Sequence, residues 1–199
     1  MSSAATARPL MTLEEFYEWD SRDDQRYELI DGVPVAMAPP RNAHGTIAIN
    51  LAWGLRETLR TRPPGVAMSE VGILSPTRRN TFYQADLAVS CQPQDPDGHE
   101  MKDPLLIAEV LSPSTENQDR KVKLVEYRRI PGVREVLMVD STRLYAELHR
   151  RLEGDRWLVE LIVDPQAALR LESIGAELPL SEIYANVSFD VAGDQVGNR

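Results

Sequence analysis

The chain has 199 residues, 42% hydrophobic and 27% charged, with a formal net charge of −9 and a pI near 4.9. This composition and length suit one globular domain with a sizeable core, and the acidic balance argues against broad, non-specific nucleic-acid binding while leaving room for a local basic channel. No stretch approaches the ~18 to 20 apolar residues that span a bilayer.

The first residues lack the apolar core of a signal peptide, and the single cysteine, Cys91, rules out an internal disulfide and fits a reducing compartment. The protein is therefore expected in the cytoplasm and off the membrane. Residues 1–9 and 191–199 carry little apolar content and read as flexible tails around one domain over 10–190.

In chain order, "MTLEEFYEWDS" places Thr12 three residues before Glu15, the capping-box spacing, and predicts a short helix. "YELIDGVPVAMA" is two β-type runs joined by Asp31-Gly32, a strong hairpin signal. Ile47, Leu51, Leu55 and Leu59 recur at i+4 and predict an amphipathic helix stopped by Pro63-Pro64. Three β-type runs follow: "VAMSEVGILS", "FYQADLAVSC" and "LLIAEVLS". "STENQDRKVKLVEYRRI" predicts a second principal helix, capped by Ser114 or Thr115 and ended by Pro131-Gly132. "REVLMVD" reads as a buried strand, "RLYAELHRRL" and "RWLVELIVD" as a hairpin around "EGD", and "ALRLES" as one more strand. The expected fold is α/β or α+β, a mixed β-sheet core flanked by helices.

Three acids sit inside apolar strand runs. Glu109 shares its strand face with Ile107 and Leu111, Asp86 with Ala88, and Glu28 with Ile30. Burying an unpaired carboxylate costs several kcal/mol or more, so each must be neutralised, paired with a cationic side chain, or bound to a metal. Convergent carboxylates in a dry site repel one another, and a hard divalent ion, Mg²⁺ first, resolves that. Only three of the 22 basic residues are lysines, Lys102, Lys121 and Lys123, and two of these fall just after "EVLSPST". Lysine is a compact point charge that can contact a water or phosphate. From spacing alone Lys123 also fits an ordinary salt bridge to Asp119 or Glu126, and Glu109 an arginine pair in the core. Arg78, Arg79 and the run Arg120, Lys121, Lys123, Arg128 and Arg129 read as mostly solvated faces.

"YELIDG", "AD" ahead of an apolar strand, "EVLSPST", "DRKVKLVEY" and "VREVLMVD" appear in that order, and together they resemble the Uma family of the PD-(D/E)XK nuclease superfamily over roughly residues 12 to 165. The resemblance implies a restriction-endonuclease-like fold and a metal-dependent endonuclease that hydrolyses phosphodiester bonds of DNA. It implies that Asp86 and Glu109 are metal ligands with the Val110 carbonyl as a third, and that Lys123 is the catalytic lysine. That lysine is displaced from the usual place two residues after the glutamate, where this chain has Leu111. It further implies a role for Glu28 at a second metal or its water, and accessory roles for His44, Asp119 and Tyr127. The cofactor implied is Mg²⁺ or Mn²⁺, and superfamily analogy suggests a homodimer. One departure is Ala85, where the pattern usually has proline before the aspartate.

Other candidates read as structural. Ser112 and Ser114 lack a G-x-S-x-G context and suit a turn or cap. His99 lies in a loop too short of ligands for zinc or calcium. His149 is expected at the surface and Cys91 as a small buried residue. Two alternatives compete with the nuclease: a catalytically inactive nuclease fold that binds DNA or protein, and an oligomeric structural protein whose hairpins form an interface.

Overall fold

The structure is a computed structural model that describes residues 10–61 and 65–189. The expected tails and the Pro63-Pro64 stop lie outside the described residues.

Thr12 opens helix α1 (Leu13–Tyr17) through the expected capping box: its hydroxyl accepts the Glu15 N–H at 3.2 Å, and the Glu15 carboxylate accepts the Thr12 N–H at 2.8 Å. Strands β1 (Tyr27–Ile30) and β2 (Val33–Ala36) form the expected hairpin. Asp31 and Gly32 turn the chain at φ 49° and 81°, the left-handed pair that a two-residue hairpin requires. Helix α2 (Asn42–Arg60) buries Ile47, Leu51, Leu55 and Leu59, the stripe visible in the sequence. Strands β3 (Val66–Leu74), β4 (Phe82–Ser90) and β5 (Pro104–Leu111) follow.

The second helical region differs from expectation in two ways. It comes in three pieces: α3 (Glu116–Gln118), a π-helical turn over Asp119–Lys123, and α4 (Leu124–Arg129). Thr115 stands at its start but makes no side-chain cap; the Ser112 carbonyl accepts the Thr115 and Glu116 N–H groups at 3.0 and 2.8 Å instead. Strands β6 (Glu135–Asp140), β7 (Ala146–Arg151) and β8 (Trp157–Ile162) then complete the main sheet, with β7 and β8 as the expected hairpin. The "ALRLES" strand, β9 (Ala168–Leu171), does form, but it pairs with β10 (Ala176–Pro179) in a separate two-stranded sheet followed by α5 (Leu180–Ile183).

The eight-stranded sheet runs β2-β1-β4-β5-β6-β7-β8, with β3 also paired to β4. It is mixed: β5 and β6 are parallel and the other neighbours antiparallel. Strand β6 is buried at every position, as expected of a central parallel strand covered on both faces. One face packs on α2 and the β9–β10 layer through Leu87, Leu106, Leu137 and Leu148. The other packs on α4 through Ile107, Leu111, Leu124 and Tyr127.

Strand β4 has a break along one edge. It pairs with β5 over Leu87–Ser90 and with β1 only at Leu29↔Phe82. Between these contacts, around Gln84 and Asp86, no strand among the described residues completes the ladder. Backbone N–H and C=O groups so placed must find other partners or bear a desolvation cost.

Candidate active site

Side chains fill the break in the ladder. The Gln84 N–H donates to Glu28 Oε1 at 3.0 Å and the Asp86 N–H to Glu109 Oε2 at 3.3 Å. The Val110 N–H donates to Asp86 Oδ2 at 2.7 Å, and the Lys123 ammonium donates to the Gln84 carbonyl at 3.1 Å. Each of the three strand acids thus accepts a backbone N–H that a neighbouring strand would normally take. This is why an apolar strand run tolerates Glu109: the strands part at that point, and the carboxylate replaces a missing carbonyl.

Lys123 sits at the centre of the acids. Its Nζ lies 2.8 Å from Glu28 Oε1 and 3.4 Å from both Glu109 Oε1 and Asp119 Oδ1. These four side chains are only 3 to 6% exposed. Tyr127 lies behind them, fully buried, and donates its hydroxyl to Glu109 Oε1 at 2.7 Å. Gln118 donates to the free oxygen of Glu28, Oε2, at 2.8 Å. Asp86 is more open, with its side chain 21% exposed, and His44 from α2 reaches its Oδ2 at 3.3 Å. All of these groups but Tyr127 line a cleft of about 430 Å³.

The π-helical turn shapes this cluster. The Leu124 N–H bonds to the Asp119 carbonyl, one residue further back than in an α-helix, and so inserts an extra residue into the turn. Asp119, Lys123 and Tyr127 follow at four-residue intervals; Lys123 and Tyr127 reach Glu109 on β5, and Asp119 reaches Lys123.

The electrostatics follow from burial and crowding. Burial raises the Glu109 carboxyl above the usual range, the Lys123 charge opposes this, and the charges of Asp86 and Asp119 add to it. Burial likewise raises Asp119 against the pull of Lys123. For Lys123, burial works to lower the pKa, but Glu109, Glu28 and Asp119 outweigh it, so the ammonium stays charged. Burial and the neighbouring Glu109 carboxylate hold the Tyr127 hydroxyl protonated, as its donor role requires. Burial would lower His44, but its bond to Asp86 and the charge there raise it instead.

The model of the Uma2 family, described as a putative restriction endonuclease, matches residues 13–181. The chain belongs to the Uma2 family. Two relatives in Synechocystis sp. match over most of their length. The uncharacterized protein slr1290 is 30% identical over 91% of this chain and 95% of its own, and sll1609 is 25% identical over 85% and 96%. The crystal structure of a putative nuclease belonging to DUF820 from Anabaena variabilis has the same fold, with a TM-score of 0.69 at 17% identity, covering 87% of this chain and 97% of that one.

In this Uma2 protein every side chain singled out from the sequence for the site falls in one cluster: Glu28, His44, Asp86, Glu109, Asp119, Lys123 and Tyr127. Val110 lines the same cleft. The oxygen-rich donor set suits a hard divalent cation, and four carboxylates face one ammonium and one imidazole, an excess that a dication would offset. Among the described residues no three histidine, cysteine or acidic side chains already close on a single point; they close on Lys123 and on backbone N–H groups instead. Gln118 and the backbone of Gln84 were not foreseen. Nothing in the periodicity marks them, because their role exists only where β1, β4 and the π-helical turn meet.

Elsewhere the structure corrects three expectations. His149 is not at the surface: it is 4% exposed on β7, with Nδ1 accepting from the Arg128 guanidinium. Cys91 is half-buried just past β4 rather than enclosed. The basic run is not a solvated face. Lys123 is buried, Arg120 pairs with Glu147 at 2.6 Å, and Arg128 lies over the Trp157 ring, though Lys121 and Arg129 remain exposed. Ser112 and Ser114 bond to each other at 2.9 Å in the turn before α3, as their structural reading required.

Proposed function

We propose that this protein is a metal-dependent endonuclease hydrolysing phosphodiester bonds of DNA. The observation that carries the reading is the break in the β4 ladder, where Asp86, Glu109 and Glu28 converge on a buried, charged lysine beside an open cleft. The family it belongs to supports the same reaction class.

Asp86 and Glu109, with the Val110 carbonyl, are the groups that would hold Mg²⁺ or Mn²⁺, and Glu28 would serve a second ion or its water. The ion, when bound, supplies a Lewis acid at the phosphoryl oxygen and a water of lowered pKa. The remaining work falls to the chain. Lys123 is held charged, so it orients the attacking water and stabilises charge developing on the phosphate rather than removing a proton. Tyr127 fixes the Glu109 rotamer, Asp119 fixes the lysine, and His44 holds Asp86 at the cleft mouth. Low exposure around Glu109 strengthens each of these interactions.

The test is nicking of supercoiled plasmid with Mg²⁺ or Mn²⁺, comparing wild type with Asp86→Ala, Glu109→Ala and Lys123→Ala, each checked for folding by circular dichroism. Metal-dependent cleavage lost in all three variants is the expected result. A second reading, a nuclease fold that binds DNA without cutting it, is favoured by the closure of the carboxylates on protein partners rather than on a common point. Calorimetric titration with Mn²⁺ separates the two readings: a competent site binds the ion and loses it in Asp86→Ala. A folded wild type that neither cuts nor binds Mn²⁺ would overturn the proposal.

A further inference from the structure

Two edge strands of the main sheet, β2 and β8, are finished differently. One, β2, is four residues long and contains Pro34, both devices that discourage edge pairing. The other, β8, is six residues long, carries no proline or lysine, and runs in unbroken register with β7. It is also largely apolar, with Glu160 its one charged residue. Leu158, Val159, Leu161 and the following Val163 are 43%, 44%, 62% and 59% exposed, and Leu152 at the base of the hairpin is 43% exposed. A long, apolar, unprotected edge is a template for a further strand.

We propose that two copies of this protein join through β8, antiparallel about a two-fold axis through Val159, continuing the sheet across the dimer. The backbone direction permits this. The Arg156 carbonyl points inward, accepting the Leu152 N–H at 2.9 Å, so the even-numbered residues of β8 bond to β7. Trp157, Val159 and Leu161 therefore turn their N–H and C=O groups outward, where an incoming strand can meet them.

Side-chain chemistry then selects both the partner and the register. A two-fold axis perpendicular to the sheet pairs residues of the same face, so it must lie midway between the two copies of a single residue. Centred on Val159, Trp157 lies opposite Leu161 of the second copy and Val159 opposite Val159, an entirely apolar row. On the other face Leu158 lies opposite Glu160. Arg156 lies opposite Ile162, diagonal to both Glu160 and Asp164 of the second copy, and so places opposite charges together twice across the axis. Centring one residue further along would set Glu160 against Glu160, a like-charge pair at the axis. The strand is thus complementary to itself in one register and penalised in the next. This inference is independent of the proposed chemistry at the cleft.

The measurement is mass by light scattering on the full chain, followed by oxidative cross-linking of single-cysteine variants in a Cys91→Ser background. Wild type is expected at twice 22.4 kDa in the micromolar range. Leu161→Asp should be monomeric with an unchanged circular dichroism spectrum. Arg156→Glu, an exposed change that leaves the core untouched, should weaken association at least tenfold. Val159→Cys should form a disulfide-linked dimer, since directly opposed Cα atoms about 5.5 Å apart lie within disulfide range. Glu160→Cys should not. A wild type monomeric up to about 100 µM overturns the proposal, as does a dimer that survives both Leu161→Asp and Arg156→Glu. Cross-linking through Glu160→Cys in preference to Val159→Cys overturns the register.

Discussion

Two glutamates are buried on neighbouring central strands, and their surroundings could hardly differ more. Glu135, on β6, is 1% exposed on the face that packs against α2 and the β9–β10 layer. Its Oε1 accepts from Arg150 Nε at 3.0 Å and from the Glu172 N–H at 3.1 Å, and its Oε2 accepts from the N–H and hydroxyl of Ser173 at 3.0 and 2.5 Å. Four donors saturate one carboxylate and tie the turn after β9 to the main sheet. Glu109, 2% exposed on β5, shares one lysine with two other acids and lies on the wall of an open cleft. Burial alone does not mark a functional carboxylate. What distinguishes Glu109 is that its neighbours are themselves acidic and that space remains beside it.

Glu109 and Glu135 should respond to substitution in opposite ways. The largest expected effect is in Glu109→Gln, where metal-dependent plasmid cleavage should fall at least about 100-fold, the scale of losing a transition-state electrostatic contact. Its stability should stay within about 1 kcal/mol of wild type, because a neutral amide relieves acid crowding while Lys123 keeps Glu28 and Asp119. Glu135→Ala should do the reverse. It should cost about 3 kcal/mol in urea unfolding, since it leaves the Arg150 Nε–H, the Ser173 hydroxyl and two backbone N–H groups without their acceptor, and should leave cleavage per folded molecule unchanged.

A smaller effect concerns pH and His149, on the same α4-covered face of the sheet as the cleft. Burial, with the Arg128 charge adding to it, lowers His149 to about 4. Its Nε2 lies 3.4 Å from the Glu147 carboxylate without a formed hydrogen bond. The unfolded chain takes up this proton near pH 6.5 and the folded chain only near 4. Stability from this group is therefore complete above pH 6.5 and is lost as pH falls from 6.5 toward 4. The difference between pH 7.5 and 4.5 should be about 1 to 2 kcal/mol by urea unfolding, smaller than the full linkage value because of residual solvent screening. His149→Gln should remove that part of the slope. Smallest is Tyr127→Phe, which keeps the edge-to-face packing on Tyr83 at 6.0 Å and loses only the bond to Glu109. It should cost about 1 kcal/mol in stability and tenfold or less in cleavage.

The sequence by itself determined the local elements and the acids they carry. The i+4 leucines of α2, the Asp31-Gly32 turn and the apolar runs of β4, β5 and β6 are signals of period and turn chemistry, which depend on near neighbours in the chain. Glu28, Asp86 and Glu109 stood out for the same reason, as charges set in apolar runs, and the family motif supplied Lys123. Tertiary structure alone decided who meets whom. The break between β1 and β5 along β4 arises from strand order, and only there do the three acids accept backbone N–H groups. The π-helical turn that aims Lys123, the burial of His149 under Arg128, and the pairing of β9 with β10 also depend on partners far away in sequence. Side-chain periodicity reports which face a residue occupies; what stands opposite that face is set by long-range packing, and the chemistry of the cleft follows from it.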